Sequence, residues 1–135
     1  MSSLIPYIHL AGVMHLAVLA ANFTLSRRLA VRENAARLSP ILRQVFYVHW
    51  LYILIVLLIF AALCLFFPGE LAGASPLGTF LSACIALFWA LRILLQLAVY
   101  DAATRRANRF LDALYLLALC YFTAVFTAAV WGSWR

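Results

Sequence analysis

Leu51-Tyr52-Ile53-Leu54-Ile55-Val56-Leu57-Leu58-Ile59-Phe60 is an unbroken apolar and aromatic run inside a longer stretch, Gln44 to Gly69, that lacks acidic and basic side chains. The wall of a closed membrane β-barrel alternates polar with apolar positions, and this run does not. It reads instead as the middle of a helix that crosses a bilayer, for which roughly 20 apolar residues suffice. Three more stretches have the same character: Ser2 to Ser26, Leu71 to Tyr100 and Ala113 to Trp134, the second broken only by Arg92. With 68% apolar and 10% charged residues in 135, the chain lies far from soluble globular composition. The reading is a single all-α domain over 1–135, a four-helix transmembrane bundle with spans at about 4–25, 45–67, 77–100 and 110–131.

The arginines orient it. Arg27, Arg28, Arg32, Arg37 and Arg43 lie between the first two spans, and Arg105, Arg106 and Arg109 between the last two, whereas Pro68 to Pro76 carries only Glu70. The positive-inside rule places both Arg-rich loops in the cytoplasm and both termini outside. The expected location is a bacterial inner membrane. The first apolar run has neither a charged head nor a small-residue cleavage site, so it reads as a retained helix. Residues 26–43 mix arginine with Leu29, Val31 and Leu38, as an interfacial segment drawn to anionic lipids would. Topology therefore accounts for the net charge of +6, and no nucleic-acid partner is expected.

Ser39-Pro40 and Ser75-Pro76 are cap-and-first-turn signals that open the second and third helices, and Pro68-Gly69 closes the second. The short segment between them predicts that the second and third spans pack as antiparallel neighbours. Trp131 and Trp134 are expected as anchors at the outer interface.

Polar residues within the spans mark the bundle interior, because groups facing lipid go unsatisfied. At 100° per residue, Trp89, Arg92, Gln96 and Tyr100 share one face of the third helix, within a fan of about 80°. His15, Asn22 and Ser26 align on the first, and Asp112, Tyr115, Thr123 and Thr127 form a broader stripe on the fourth. A charge inside a span is costly and needs partners. Arg92 lies about 13 Å along the axis from Asp101, at a depth comparable to Asn22, His49, Gln96 and Asp112. These residues, with Tyr100, form the expected ligand or polar cluster, with Asp112 the carboxylate partner of Arg92.

His15 and His49 are candidate haem or pigment ligands. Their difference in depth, about 10 Å or more, argues against a shared iron. No metal site, catalytic carboxylate pair or phosphate-binding loop is visible. Cys64, Cys84 and Cys120 lack paired spacing and read as small apolar side chains. Phe46, Tyr47, Trp50, Phe60, Phe66, Phe67, Phe88, Phe122 and Phe126 are more aromatic surface than one small bundle buries, and part of it is expected to meet lipid, protein or pigment.

Two resemblances add to this. Arg43-Gln44-Val45-Phe46-Tyr47-Val48-His49, Gly73-Ala74-Ser75-Pro76-Leu77 and Phe88-Trp89-Ala90-Leu91-Arg92 with Gln96 resemble small bacterial four-span membrane proteins without an assigned activity. Leu91-Arg92 followed by Tyr100 and then Arg105-Arg106 resembles the third span of the MAPEG group, the membrane-associated eicosanoid and glutathione proteins. That resemblance implies that Arg92 binds or activates a glutathione thiol and that Tyr100 lines the same site. The second span departs from the family's Arg-Ala-His-x-Asn-x-x-Glu-like pattern, since Tyr47-Val48-His49-Trp50-Leu51-Tyr52 contains neither the Asn nor the Glu. The leading expectation is a small non-enzymatic subunit or accessory of a larger inner-membrane complex, in contact with other membrane subunits or its own copies. A MAPEG-like enzyme and a haem- or pigment-binding subunit are the alternatives.

Overall fold

The computed structural model describes residues 2–100, 102–107 and 109–133. Among these residues, six α-helices follow a short 3-10 turn: α1 (Ile5–Arg28), α2 (Val31–Ala36), α3 (Pro40–Phe66), α4 (Pro76–Ala98), α5 (Ala102–Ala107) and α6 (Arg109–Ser133). A π-helical segment, Glu70–Ala74, joins α3 to α4. No strand occurs among the described residues. Four of these helices, α1, α3, α4 and α6, are long and apolar enough to cross a membrane. The protein is an integral membrane helical bundle, as the uncharged runs predict.

The caps lie where the serine–proline pairs place them. Pro40 and Pro76 stand in the first turns of α3 and α4, where a missing N–H costs nothing. Ser75 is a working N-cap, its Oγ accepting from the Gly78 N–H at 3.1 Å. The expected interfacial segment 26–43 is interrupted: α1 runs on to Arg28, Ala30 turns the chain with a left-handed φ of 48°, and α2 covers only Val31–Ala36. At the C-terminal end of α4 the helix closes at Ala98, with the Val99 N–H bonded to Leu95. Asp101, Asn108 and Trp134, which the sequence reading used as a helix end, a helix start and an anchor, lie outside the described residues.

The helices pair as two hairpins. α1 packs along α3, α4 packs along α6, and a smaller α1–α6 contact joins the pairs. The second and third spans, expected to pack as antiparallel neighbours, run antiparallel and touch through Phe60 and Phe88 at 5.2 Å, but each packs mainly on another helix. Two local features cause this. Gly12 lets α1 lie so close to α3 that a Cβ there would stand 2.9 Å from Leu65 and 3.0 Å from Cys64, a small-residue crossing of the kind that drives helix association in lipid. The 70–74 segment, meanwhile, folds onto α4 and α6 rather than looping away, and buries Leu71 and Ala72.

That segment depends on two glycines. Gly73 has φ 95°, a left-handed conformation that side chains with a Cβ resist. A Cβ on Gly78 would lie 1.9 Å from the Glu70 carbonyl oxygen. Ser82, fully buried, donates to the Leu71 carbonyl at 2.7 Å, and Ser75 also donates to the Glu70 carboxylate. The connection is thus an inward-packed lid on one end of the α4–α6 hairpin. The arginine-rich loops occupy the opposite end of the bundle.

Candidate functional site

Polar side chains gather in two places. Midway through the bundle, His15 is fully buried, with its ring stacked on Phe122 at a centroid distance of 4.1 Å. Phe60, Trp89 and Phe126 complete its surroundings. The Trp89 indole Nε1–H lies 3.2 Å from His15 Nε2, and His15 Nδ1 lies 2.7 Å from the Ala11 carbonyl. An indole nitrogen only donates, so Nε2 accepts and Nδ1 carries the ring proton. Both nitrogens are thereby engaged, and an axial-ligand position at Nε2 is filled by Trp89. His15 ties α1 to α4 by a hydrogen bond and to α6 by its ring stack.

The second gathering lies at the arginine-rich end, between α4 and α6. Arg92, Gln96 and Tyr100 descend one face of α4 as the helical period predicts. Arg92 donates through Nη1 to Gln96 Oε1 at 3.0 Å and through Nη2 to the Tyr100 hydroxyl at 3.4 Å. Its guanidinium lies against two aromatic rings, 5.3 Å from the centroid of Tyr100 and 5.4 Å from that of Tyr115, a cation–π arrangement that partly replaces lost hydration. Gln96, 6% exposed, donates through Nε2 to Asp112 Oδ1 at 2.7 Å. Arg105 of α5 donates to the other carboxylate oxygen at 3.1 Å. The Gln96 amide can point only one way in this chain, because a flip would set donor against Arg92 and acceptor against Asp112.

Two expectations are revised by this geometry. The direct Arg92–Asp112 ion pair is replaced by a relay, Arg92 to Gln96 to Asp112 to Arg105. Asp112 stands in the first turn of α6, where the helix dipole favours a carboxylate; Gln96, one turn below Arg92, is the residue that reaches it. The six-residue cluster also divides. Asn22 donates to its own helix at the Val18 carbonyl, 2.8 Å away, and His49 Nδ1 bonds Val45 at 2.8 Å with its ring exposed. Both belong to the α1–α3 hairpin and do not join Arg92. Thr123 likewise bonds its own helix, at Leu119.

Arg105 and Tyr115 are the residues whose part in the site sequence reasoning missed. Arg105 was read as a topology charge, although its position seven residues before Asp112 could have suggested a pair across the α5–α6 turn. The aromatic surplus is also sorted: Phe122 and Phe126 are fully buried around His15, while Tyr47, Phe66 and Phe67 face outward. Cys64 is buried, Cys84 and Cys120 are exposed, and no group of three metal-ligating side chains occurs among the described residues. A shallow groove of about 540 Å³ runs along the lid between Gly73 and Val130. Its polar atoms are taken up locally, Thr79 Oγ1 donating to the Ser75 carbonyl and Ser75 bonding Glu70. Searches against protein-family models, curated proteins and solved structures find no match to this chain, so the MAPEG resemblance rests on Arg92, Tyr100 and the arginines that follow them.

Proposed function

We propose that the protein is a small, non-enzymatic integral subunit or accessory of a larger complex in a bacterial inner membrane, with its arginine-rich loops in the cytoplasm. The observation that carries this reading is the self-sufficiency of the polar interior. Among the described residues, no buried side-chain nitrogen or oxygen lacks a hydrogen-bond partner. His15, Ser82 and Gln96 spend their bonding capacity on the chain itself. A catalytic or substrate pocket keeps some polar groups pointed at open space.

Partnership is supported by α3. His49 and Tyr52, one turn apart, both face outward, and Tyr52 is 63% exposed. Polar groups on the outer face of a span are costly against lipid and favour a protein neighbour. Purification from the native membrane in mild detergent, with identification of the accompanying subunits, tests the reading. Stoichiometric larger subunits are expected. Recovery as a stable homotrimer alone would overturn it.

One observation favours a second reading. Arg92 and Tyr100, which the MAPEG resemblance puts in one site, are in contact. On that reading glutathione resin retains the protein and Arg92→Ala abolishes retention; flow-through of the wild type rejects it.

A further inference from the structure

Arg92 reaches the wrong way for a helical side chain. Cα–Cβ bonds lean toward a helix N-terminus, yet its guanidinium contacts Gln96 and Tyr100, four and eight residues toward the C-terminus. Those residues lie about 6 and 12 Å further along the axis. α4 has 23 residues, a length of about 34 Å against a hydrocarbon layer of about 30 Å. Tyr100, just beyond its end and 47% exposed, therefore stands at headgroup depth. Arg92 extends its charge toward that level, as a snorkelling side chain does.

What waits there is not a carboxylate of the cluster, because Asp112 is held by Gln96 and Arg105. Gln96, Tyr100 and Tyr115 around the guanidinium are all neutral. Among the described residues of α4, α5 and α6 at this end there are four arginines, Arg92, Arg105, Arg106 and Arg109, and one acidic side chain, Asp112. A guanidinium with N–H donors that no described residue takes up, a half-exposed phenol and a positive rim match the anionic oxygens of a phosphodiester. At headgroup depth the phosphodiester at hand is that of a lipid.

We propose that the arginine-rich end of the α4–α6 hairpin seats the headgroup phosphate of an anionic phospholipid, gripped by Arg92 and the Tyr100 hydroxyl. Gln96 positions the guanidinium, and Arg106 and Arg109 supply the surrounding field. This seat does not depend on the subunit reading, and it would exist equally on an isolated chain.

Native mass spectrometry of the full-length chain, released from micelles containing phosphatidylglycerol and phosphatidylcholine, tests it. The wild type retains phosphatidylglycerol in preference. Arg92→Gln lowers that retention about five-fold, the size of one arginine–anionic lipid contact, and Arg106→Gln, a rim change, lowers it less. Tyr100→Phe keeps the ring and the packing and lowers retention about two-fold, which guards against a misfolded Arg92 variant. Equal effects of Arg92→Gln and Arg106→Gln would reduce the seat to a diffuse field and overturn the proposal. Unchanged retention in Arg92→Gln would do the same. Millimolar inorganic phosphate is expected to leave the lipid in place; displacement would reassign the seat to a soluble anion. Displacement by glutathione would overturn the lipid seat in favour of the enzyme reading.

Discussion

Trp89→Phe is the sharpest probe of the His15 junction. The substitution removes the only donor among the described residues that reaches His15 Nε2 and leaves that acceptor inside a site with no exposure. An orphaned buried acceptor costs about 1–3 kcal/mol; the N···N distance of 3.2 Å marks a bond on the long side, so about 1.5 kcal/mol is a fair share. The smaller ring also leaves a void of about 40 Å³, worth about 1 kcal/mol at about 24 cal/mol per Å³. The expected loss is then about 2.5 kcal/mol, read by titrating the reconstituted protein from mixed micelles into sodium dodecyl sulfate. A double variant, Trp89→Phe with His15→Leu, removes the acceptor too. It should lose less than the sum of the two single changes, with a coupling of about 1 kcal/mol. Strict additivity, or a single-variant loss under about 0.5 kcal/mol, would refute the claim that Trp89 and His15 are bonded partners. Nitrogen-15 spectra supply an independent check, since His15 must appear as the Nδ1–H tautomer.

Other changes follow from the same contacts. Gly78→Ala drives a Cβ into the Glu70 carbonyl and should cost more than about 3 kcal/mol in the same titration, or prevent folding; wild-type stability would show that the lid does not pack as described. Gln96→Leu strands Arg92 Nη1 and Asp112 Oδ1 together and should lose about 2–3 kcal/mol, visible as a lower melting temperature in detergent, whereas no loss would mean the relay is not formed. His49→Ala, on an exposed ring, should leave the isolated chain within about 0.5 kcal/mol of wild type while reducing recovery of co-purifying subunits. An unchanged subunit ratio would remove α3 as the docking face.

The four spans were legible because an apolar run of the length of Gln44 to Gly69 has few structural fates. The Arg92–Gln96–Tyr100 face was legible for a similar reason, since one helix's periodicity is a local property. What crosses between helices was not. Depth along the membrane normal can be counted from residue number, but the direction in which each helix turns its polar face depends on packing. Asn22 and His49 therefore shared the expected depth of Arg92 and not its company. The Trp89–His15 bond spans 74 positions, and no local pattern announces it. The lid was hidden for another reason: Pro68 to Pro76 carries ordinary turn residues, and only the left-handed Gly73 and the absent Cβ of Gly78 reveal that it folds inward.

The pairing of consecutive spans has a consequence for biogenesis. Each hairpin consists of two spans that leave the ribosome one after the other, with an arginine-rich turn between them. The α1–α3 hairpin can enter the bilayer and pack before α4 exists, and α4–α6 can do so without it. The ring stack of His15 on Phe122 and its bond to Trp89 close only when the two preformed hairpins dock. Since the 70–74 segment belongs to the second hairpin, the natural seam of the molecule falls between Phe67 and Gly69. A chain cut at that seam and expressed as two pieces keeps the helix pairing within each hairpin, and its reassembly measures the docking of one hairpin on the other, the aromatic junction together with the bond from the Tyr121 hydroxyl to the Tyr7 carbonyl.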